Sequence, residues 1–356
     1  RLDDPMIDYW LPGFFPVRVT PYRGNGLSRI LNWVSYAFSA YVQAFRVGRV
    51  DVVYASSPHL LAAWCGWLVA TARRVPFVLE VRDLWPGVLL AMGQLSAKSP
   101  VFRILTALET FLYNRATRIV VLAEGSRVEI ASRGIDAGKI VYIPNGADPD
   151  DFRPTACREL LRERYGFERL TALYAGAHGP ANGLDLVLDA AEVMDDPGLD
   201  IVLVGGGVQK AALIASAARR GLTNVRFLDP VPKEDVPDLL CAADVGLHVL
   251  ADVDLFRTAV SPNKLFDYMA AGLPVITNCP GLVSELVTEA GCGYTVDPLD
   301  LRVAFEQCAS DAATRRDLHA KGLAGQRWIA EHQSREAMAS RLQRVLDPLA
   351  HKPQHK

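Results

Sequence analysis

Short β-branched and apolar runs alternate along the chain with longer stretches whose apolar positions recur every three or four residues. Segment 51–58 (DVVYASSP) predicts a buried strand ending in a polar loop, and 60–73 predicts the helix after it. Strands are predicted at 76–81, 118–122 and 140–143, with helices at 100–115 and in the segment just before 140. The strands are near-continuously apolar rather than alternating, the mark of a parallel sheet covered on both faces. Segment 144–154 (PNGADPDDFRP) breaks the rhythm with Pro, Gly, Asn and Asp and predicts irregular chain. A short helix is expected at 158–165. The alternation then resumes, with strands at 171–174, 200–204, 225–227, 245–249 and 274–277. The stretch 314–349 is amphipathic at helical spacing, with a frayed tail expected from His351 onward.

This pattern predicts an α/β protein of two Rossmann-like parallel-sheet domains facing a central cleft, in keeping with a chain of 356 residues. The first domain is expected at 1–155 and the second at 156–325. Residues 326–356 are expected as a C-terminal helix packing back on the first domain. In such sheets ligands bind beyond the carboxyl ends of the strands. The loops at 56–59, 82–86, 176–183, 205–208, 229–232 and 252–264 are therefore where chemistry is expected.

Composition narrows the function classes. Lys plus Arg number 38 and Asp plus Glu 40, a net charge of -2 that argues against a nucleic-acid partner. The charge divides unevenly: residues 1–154 carry +4 and the remainder -6. A mildly basic first half suits an anionic substrate or membrane surface, and equally suits ordinary surface variation. The six cysteines form no C-x-x-C pair, so neither a zinc site nor a disulfide framework is expected, and a cytoplasmic location is. The longest apolar run, 60–72, is too short to span a bilayer. A helix at 27–47 carries Trp33, Tyr36, Phe38, Tyr41 and Phe45, flanked by Arg23, Arg29, Arg46 and Arg49. It suits peripheral contact with a membrane interface, or packing within the domain.

The segment after 249 is the most informative. Ser261 is placed to cap a helix, Pro262 suits its first position, and the helix runs from Asn263 until Gly272. Free N–H groups at a helix start favour an anion. Lys264 in that first turn is unfavourable for the helix alone and makes sense if a diphosphate sits there. Asp267 lies three residues on, on the same face. It is suited to accept hydrogen bonds from vicinal hydroxyls. The alternative is a surface Lys–Asp pair.

The run SPNKLFDYMAAGLPVI (261–276) resembles the donor-binding segment of GT4-type retaining glycosyltransferases of the GT-B fold. IPNGADPDDF (143–152), LVGGG (203–207), NVRFLDPVPKEDVPDLLCAADV (224–245) and ELVTEAGCGYTV (285–296) resemble the same family in the same order. EVRDLWP (80–86) and PYRGNGLSR (21–29) are similar to its bacterial surface-polysaccharide branch, which includes L-fucosamine transferase-like enzymes. The resemblance implies a nucleotide-sugar donor, of which a UDP-sugar is the expectation, and transfer of a hexose-type sugar to a glycan or lipid-linked acceptor with retention. It implies no metal or other cofactor. Asp267 would bind the donor ribose and Lys264 the diphosphate, beside Ser261, Pro262, Asn263 and Leu265. Backbone near Leu228 and Val231 would hold the base. His178, Asn182, Gly183, Gly205 and Gly206 would border the donor. Arg82 and Asp83 stand where the family often has a His–Asp pair and are expected in catalysis with Lys264; Ser57, Pro58 and His59 form the acceptor side.

Three positions depart from the family. The first acid of its paired acidic motif is replaced by Ala259, leaving Asp252 or Asp254 as candidates for that role. The usual basic residue before Gly183 is Asn182. No family-like first strand or glycine-rich loop is recognisable at the start of the chain. The D-x-D of Asp252 and Asp254 suggests a metal only weakly, and a dinucleotide fingerprint at Gly205 fails because its third glycine falls at Lys210. Asn145-Gly146 reads as a structural turn. Two alternatives stay open beside a transferase: a nucleotide-sugar epimerase, and a non-catalytic nucleotide-sugar-binding protein.

Overall fold

The computed structural model describes residues 15–22, 26–194, 198–312 and 316–350. Arg23, part of the 21–29 motif and the tail from His351 lie outside the described residues.

The first half forms a four-stranded parallel sheet, β1 (Val53–Ser56), β2 (Phe77–Val81), β3 (Arg118–Val121) and β4 (Ile140–Tyr142), in the order of the sequence. Its helices are α1 (Leu27–Ala44), α2 (Leu60–Arg73), α3 (Gly87–Ala91), α4 (Pro100–Arg115) and α5 (Glu124–Ser132). Local chemistry sets their ends. Ser99 caps α4 by accepting the Val101 N–H at 3.2 Å, with Pro100 at the first position. The core of this half gathers Leu79, Val81, Leu112, Ile119 and Val121 between sheet and helices.

The second half begins with α6 (Arg158–Tyr165) and alternates β5 (Leu170–Ala175), α7 (Leu184–Glu192), β6 (Leu199–Val204), α8 (Lys210–Arg220), β7 (Val225–Leu228), α9 (Val236–Ala242) and β8 (Val245–His248). It continues through α10 (Asp254–Thr258), α11 (Asn263–Ala270), β9 (Val275–Thr277), α12 (Leu282–Glu289), β10 (Gly293–Thr295), α13 (Leu301–Ala312) and α14 (Arg316–His332). The six strands are parallel, in the order β10-β9-β8-β5-β6-β7. β5 thus lies between β6 and β8. The chain builds outward to one side through β7, then returns to build outward on the other. The gap between β5 and β8 is where winding reverses, the place where open α/β sheets bind ligands.

After α14 the chain crosses back as α15 (Arg335–Ala350), where Met338 and Leu349 pack with Val78 and Val120 of the first sheet and with Ile143 just after β4. Position 326, where the returning helix was expected to begin, lies inside α14, whose Ile329 is buried in the second core. Helical spacing ran unbroken across 314–349, and only the non-helical pair 333–334 separates the two helices. At the crossing Ala147 N–H donates to the Gln333 carbonyl at 3.2 Å and Arg335 N–H to Asp148 Oδ1 at 3.0 Å. The halves also meet around α10: Leu255 and Ala259 join the first core, while Val88 of α3 and Met92 just after it join the second.

Candidate functional site

A cavity of about 360 Å³ opens at the carboxyl ends of β5 and β6, against α11. Ala175, Gly176 and Ala177 line one wall and Val204, Gly205 and Gly206 the next. Pro230, Val231, Val236, Leu239 and Leu240 supply an apolar end, and Lys264, Asp267 and Tyr268 project from α11. Of the residues singled out in the sequence, Lys264, Asp267, Gly205, Gly206 and Val231 line this one cavity.

Tyr268 makes the opening. Its buried hydroxyl accepts the Ala175 N–H at 3.0 Å, and its ring lies where a Cβ on Gly246 of β8 would come within 2.6 Å. β5 and β8 pair only at Ala172–Val245 and Leu173–Gly246, so the Tyr268 hydroxyl supplies the acceptor that β8 does not. At Gly205 the backbone has φ +144, and an added Cβ would run into the Gly176 carbonyl, so the two loops touch main chain to main chain.

Lys264 dominates the electrostatics. Its ammonium donates to the Tyr174 hydroxyl and to Asn182 Oδ1, both at 2.8 Å, and no carboxylate pairs with it among the described residues. Burial without a counter-charge lowers its pKa from the ordinary 10.5 to about 8. His248, beneath it on β8, is fully buried; burial first and the Lys264 charge second bring its imidazole down to about 3. Asp267 is shifted the other way. Burial raises its carboxyl pKa, opposed by the charges of Arg335 and Lys233.

Several sequence candidates sit elsewhere. Ser261 does not cap α11, which starts after Pro262 without a side-chain cap. Asn145 Nδ2 donates to the Ser261 hydroxyl at 3.1 Å and to its carbonyl at 3.2 Å, so the pair joins the two halves instead. Asn145 is therefore more than a local turn. Leu265 faces the core, Asn263 is exposed, and neither they nor Pro262 line the cavity. His178 is buried beneath the glycine loops; burial and then Lys210 lower its imidazole pKa. Its main chain bridges them, its N–H donating to the Gly206 carbonyl at 2.8 Å and its carbonyl accepting from Gln209 at 3.0 Å. Gly183 turns the chain into α7 with φ +55. The Leu228 carbonyl is taken by the Gly205 N–H at 3.2 Å and by Lys210 Nζ at 2.8 Å, which leaves Val231 as the nearer lining group.

On the first-half wall, Ser57 follows β1 and its hydroxyl accepts the Arg82 N–H at 3.4 Å. Arg82 and Asp83 are exposed at the end of β2 and lead into α3, which touches α10. Crowding around Asp83 raises its carboxyl pKa against the opposing charge of Arg82. Pro58 is exposed. His59 is occupied structurally: its Nδ1 accepts the Ala62 N–H at 3.2 Å as the cap of α2, and its ring stacks on Trp33 at 4.9 Å. Burial and Arg29 lower its pKa to about 4. Asp252 and Asp254 both pair with Arg257, at 3.0 and 3.3 Å. Sequence reasoning missed Tyr174, which looks like any apolar strand residue in LTALYA.

Two family descriptions match the chain: a glycosyl transferase 4-like domain over residues 8–146, and glycosyl transferases group 1 over residues 169–314. Over 280 residues the chain is 26% identical to WcaI of Escherichia coli K12, named for colanic acid biosynthesis, covering 76% of this chain and 67% of that protein. It is 25% identical over 300 residues to the glycosyltransferase WbjE of Pseudomonas aeruginosa, covering 82% and 73%. The crystal structure of Anabaena HepE in complex with UDP-glucose superposes with a TM-score of 0.70 at 19% identity, over 91% of this chain and 84% of that one. Sucrose-phosphate synthase from Thermosynechococcus elongatus gives 0.75 at 18% identity, over 94% and 82%. With two parallel sheets meeting across a cleft and a cavity at the reversal point of the second, the chain belongs to the GT4-like glycosyltransferases of the GT-B fold and is a hexosyltransferase.

Proposed function

We propose that the enzyme takes its hexose-type sugar from a UDP-sugar and passes it, with retention, to a glycan or lipid-linked acceptor in bacterial surface-polysaccharide synthesis. The observation that carries the donor reading is Lys264, a half-buried cation held by neutral partners and lacking a carboxylate among the described residues. A buried charge without a partner is costly, and a diphosphate in the adjoining cavity supplies one. Asp267, on the same helix face, accepts the ribose hydroxyls, and the apolar end around Val231 and Leu239 receives the base. HepE, of the same fold, was crystallised with UDP-glucose. WcaI, named for colanic acid biosynthesis, supports the acceptor class.

During transfer, negative charge grows on the departing diphosphate. A fixed ammonium stabilises it without solvent reorganisation. Arg82 and Asp83 complete the charged wall on the acceptor side. A resident cation at the diphosphate makes a metal ion unnecessary for donor binding, so chelator is expected to leave turnover unchanged. The acceptor reading extends to α1, whose outer face exposes Leu27, Leu31 and Phe38 by 79%, 62% and 70% between basic residues Arg18, Arg46 and Arg49. That face suits peripheral contact with the anionic inner surface of the cell membrane. Among the described residues no helix is long and apolar enough to cross one.

The test is calorimetric titration of UDP and GDP into the whole protein, beside turnover of UDP-sugars. Lys264→Ala is expected to fold, to bind UDP at least ~30-fold more weakly and to lose most transfer, on the scale of a lost charge-assisted contact. Equal UDP affinity in wild type and variant rejects the assignment.

A further inference from the structure

Four groups close a ring beside the cavity. Lys264 Nζ donates to Tyr174 Oη at 2.8 Å and to Asn182 Oδ1 at 2.8 Å. Tyr174 Oη donates onward to the Ala177 carbonyl at 2.8 Å, and Asn182 Nδ2 donates to that same carbonyl at 2.9 Å. The ring has one consistent set of directions. A carbonyl only accepts and an ammonium only donates, so the tyrosine proton must point at Ala177 and the asparagine oxygen at Lys264. An ammonium has three N–H bonds. Two are engaged here, and the third has no acceptor among the described residues. The ring draws on β5, the loop after it and α11, so it also ties the loop of Gly176 and Ala177 to the helix that carries the cation.

We propose that Tyr174 and Asn182 are positioning residues for sugar transfer: they hold the Lys264 ammonium by two neutral acceptors so that its remaining N–H is aimed at the donor diphosphate. This rests on the donor reading above. The chemistry explains why neutral acceptors serve. A carboxylate in place of Asn182 would hold the ammonium more tightly but would compete with the incoming phosphate. Two dipoles fix its direction and leave its charge unspent for the ligand.

The titratable groups surrounding the ammonium are Tyr174 on β5, His178 on the loop, His248 on β8, and Asp267 and Tyr268 on its own helix; Lys210 of α8 stands beyond His178. The two histidines have lowered pKa values and stay neutral near pH 8, so the alkaline change there belongs to Lys264.

The experiment has two arms on the full chain. In the first, the lysine side-chain titration is followed by carbon-13 NMR without ligand, with Lys264→Met assigning the signal. Tyr174→Phe removes one acceptor and is expected to move the Lys264 midpoint to lower pH. Asn182→Asp adds a counter-charge and is expected to move it up. In the second arm, UDP affinity is measured from pH 7 to 9.5, above the ionisation of its terminal phosphate near ~6. Both variants are expected to bind about tenfold more weakly at pH 7.5, the scale of one hydrogen bond to a charged group, with midpoints displaced as in the first arm. Tyr174→Phe with an unmoved lysine midpoint overturns the brace, whatever UDP does. Displaced midpoints with no UDP binding by the wild type leave the brace intact and reject the donor reading instead.

Discussion

At the scale of single residues, Lys264 is held at the expense of the fold. Its folded pKa lies near 8, below the 10.5 of an unperturbed lysine. Between those values the unfolded chain binds more protons than the native one, so stability is expected to rise with pH across that window. Below about 8 the full cost of the buried charge is present. Lys264→Met is therefore expected to unfold at an equal or higher urea concentration at pH 7, and to lack the rise toward pH 10; a large destabilisation in that variant contradicts this account. Asp267 allows a different check. If its carboxylate meets the ribose, wild type should prefer UDP to 2′-deoxy-UDP, and Asp267→Asn should shrink that preference several-fold in calorimetry. These two residues were legible in the sequence because each is odd where it stands: a cation in a helix's first turn, and an acid one turn on. Tyr174 and Asn145 were not. Each finds its partner through the fold, Tyr174 meeting Lys264 across 90 positions and Asn145 meeting Ser261 across 116. The same contact misled the cap assignment, since the Ser261 oxygen expected to serve α11 is engaged by Asn145. His59 and His178 looked like cleft residues by position, and their burial came only with packing.

At the scale of elements, the wedge of Tyr268 between β5 and β8 ties the cavity to the stability of the sheet. Tyr268→Phe leaves the Ala175 N–H without its acceptor and is expected to cost about 1–3 kcal/mol in urea unfolding. Gly246→Ala drives a Cβ toward the ring and is expected to cost about as much by overpacking. Near-neutral results for both would mean the ring is not wedged. Nine of the ten strands among the described residues were legible, because short β-branched and apolar runs recur between helical patterns. β10 was not, since Gly-Tyr-Thr opens on a glycine and holds no apolar run of the kind that marks Ile-Val-Tyr in β4 or Val-Ile-Thr in β9; it exists by pairing with β9. α3 and α10, five residues each, escaped for the same reason. They form where the halves touch, and packing rather than propensity supports so short a helix. Ala259 belongs here too. It sits in the apolar contact of α10 with the first half, among neighbours such as Leu255 and Trp85 that give a carboxylate poor surroundings.

At the scale of the whole molecule, the outer face of α1 leads to a measurable expectation. The full protein should co-sediment with vesicles containing phosphatidylglycerol and detach as salt rises, since the basic flank is screened over about 10 Å at 0.1 M. Leu31→Asp with Phe38→Asp should abolish pelleting and leave UDP affinity unchanged. Pelleting that survives both substitutions would move the contact elsewhere. The sequence offered this face as one of two readings. The inner side of α1 does pack, with Ala37 against Cys65 and Val69 of α2, so each reading describes one side of the same helix.

The crossing at Ala147 and Gln333 has a topological consequence. The polypeptide leaves the first body near 147 and re-enters it near 333, and those two points lie side by side, joined by the 3.2 Å bond from the Ala147 N–H to the Gln333 carbonyl and the 3.0 Å bond from the Arg335 N–H to Asp148 Oδ1. The second body is thus a loop of chain whose two ends meet, in effect a cassette inserted into its host. Such a cassette is separable: a fragment spanning 148–333 begins and ends at neighbouring points and severs no strand of the six-stranded sheet. It should be expressible alone, and because the cavity of Lys264 and Asp267 is lined wholly from within it, it should still capture UDP. The host, joined by a short peptide across that 3.2 Å gap, is expected to accept a foreign cassette at the same point.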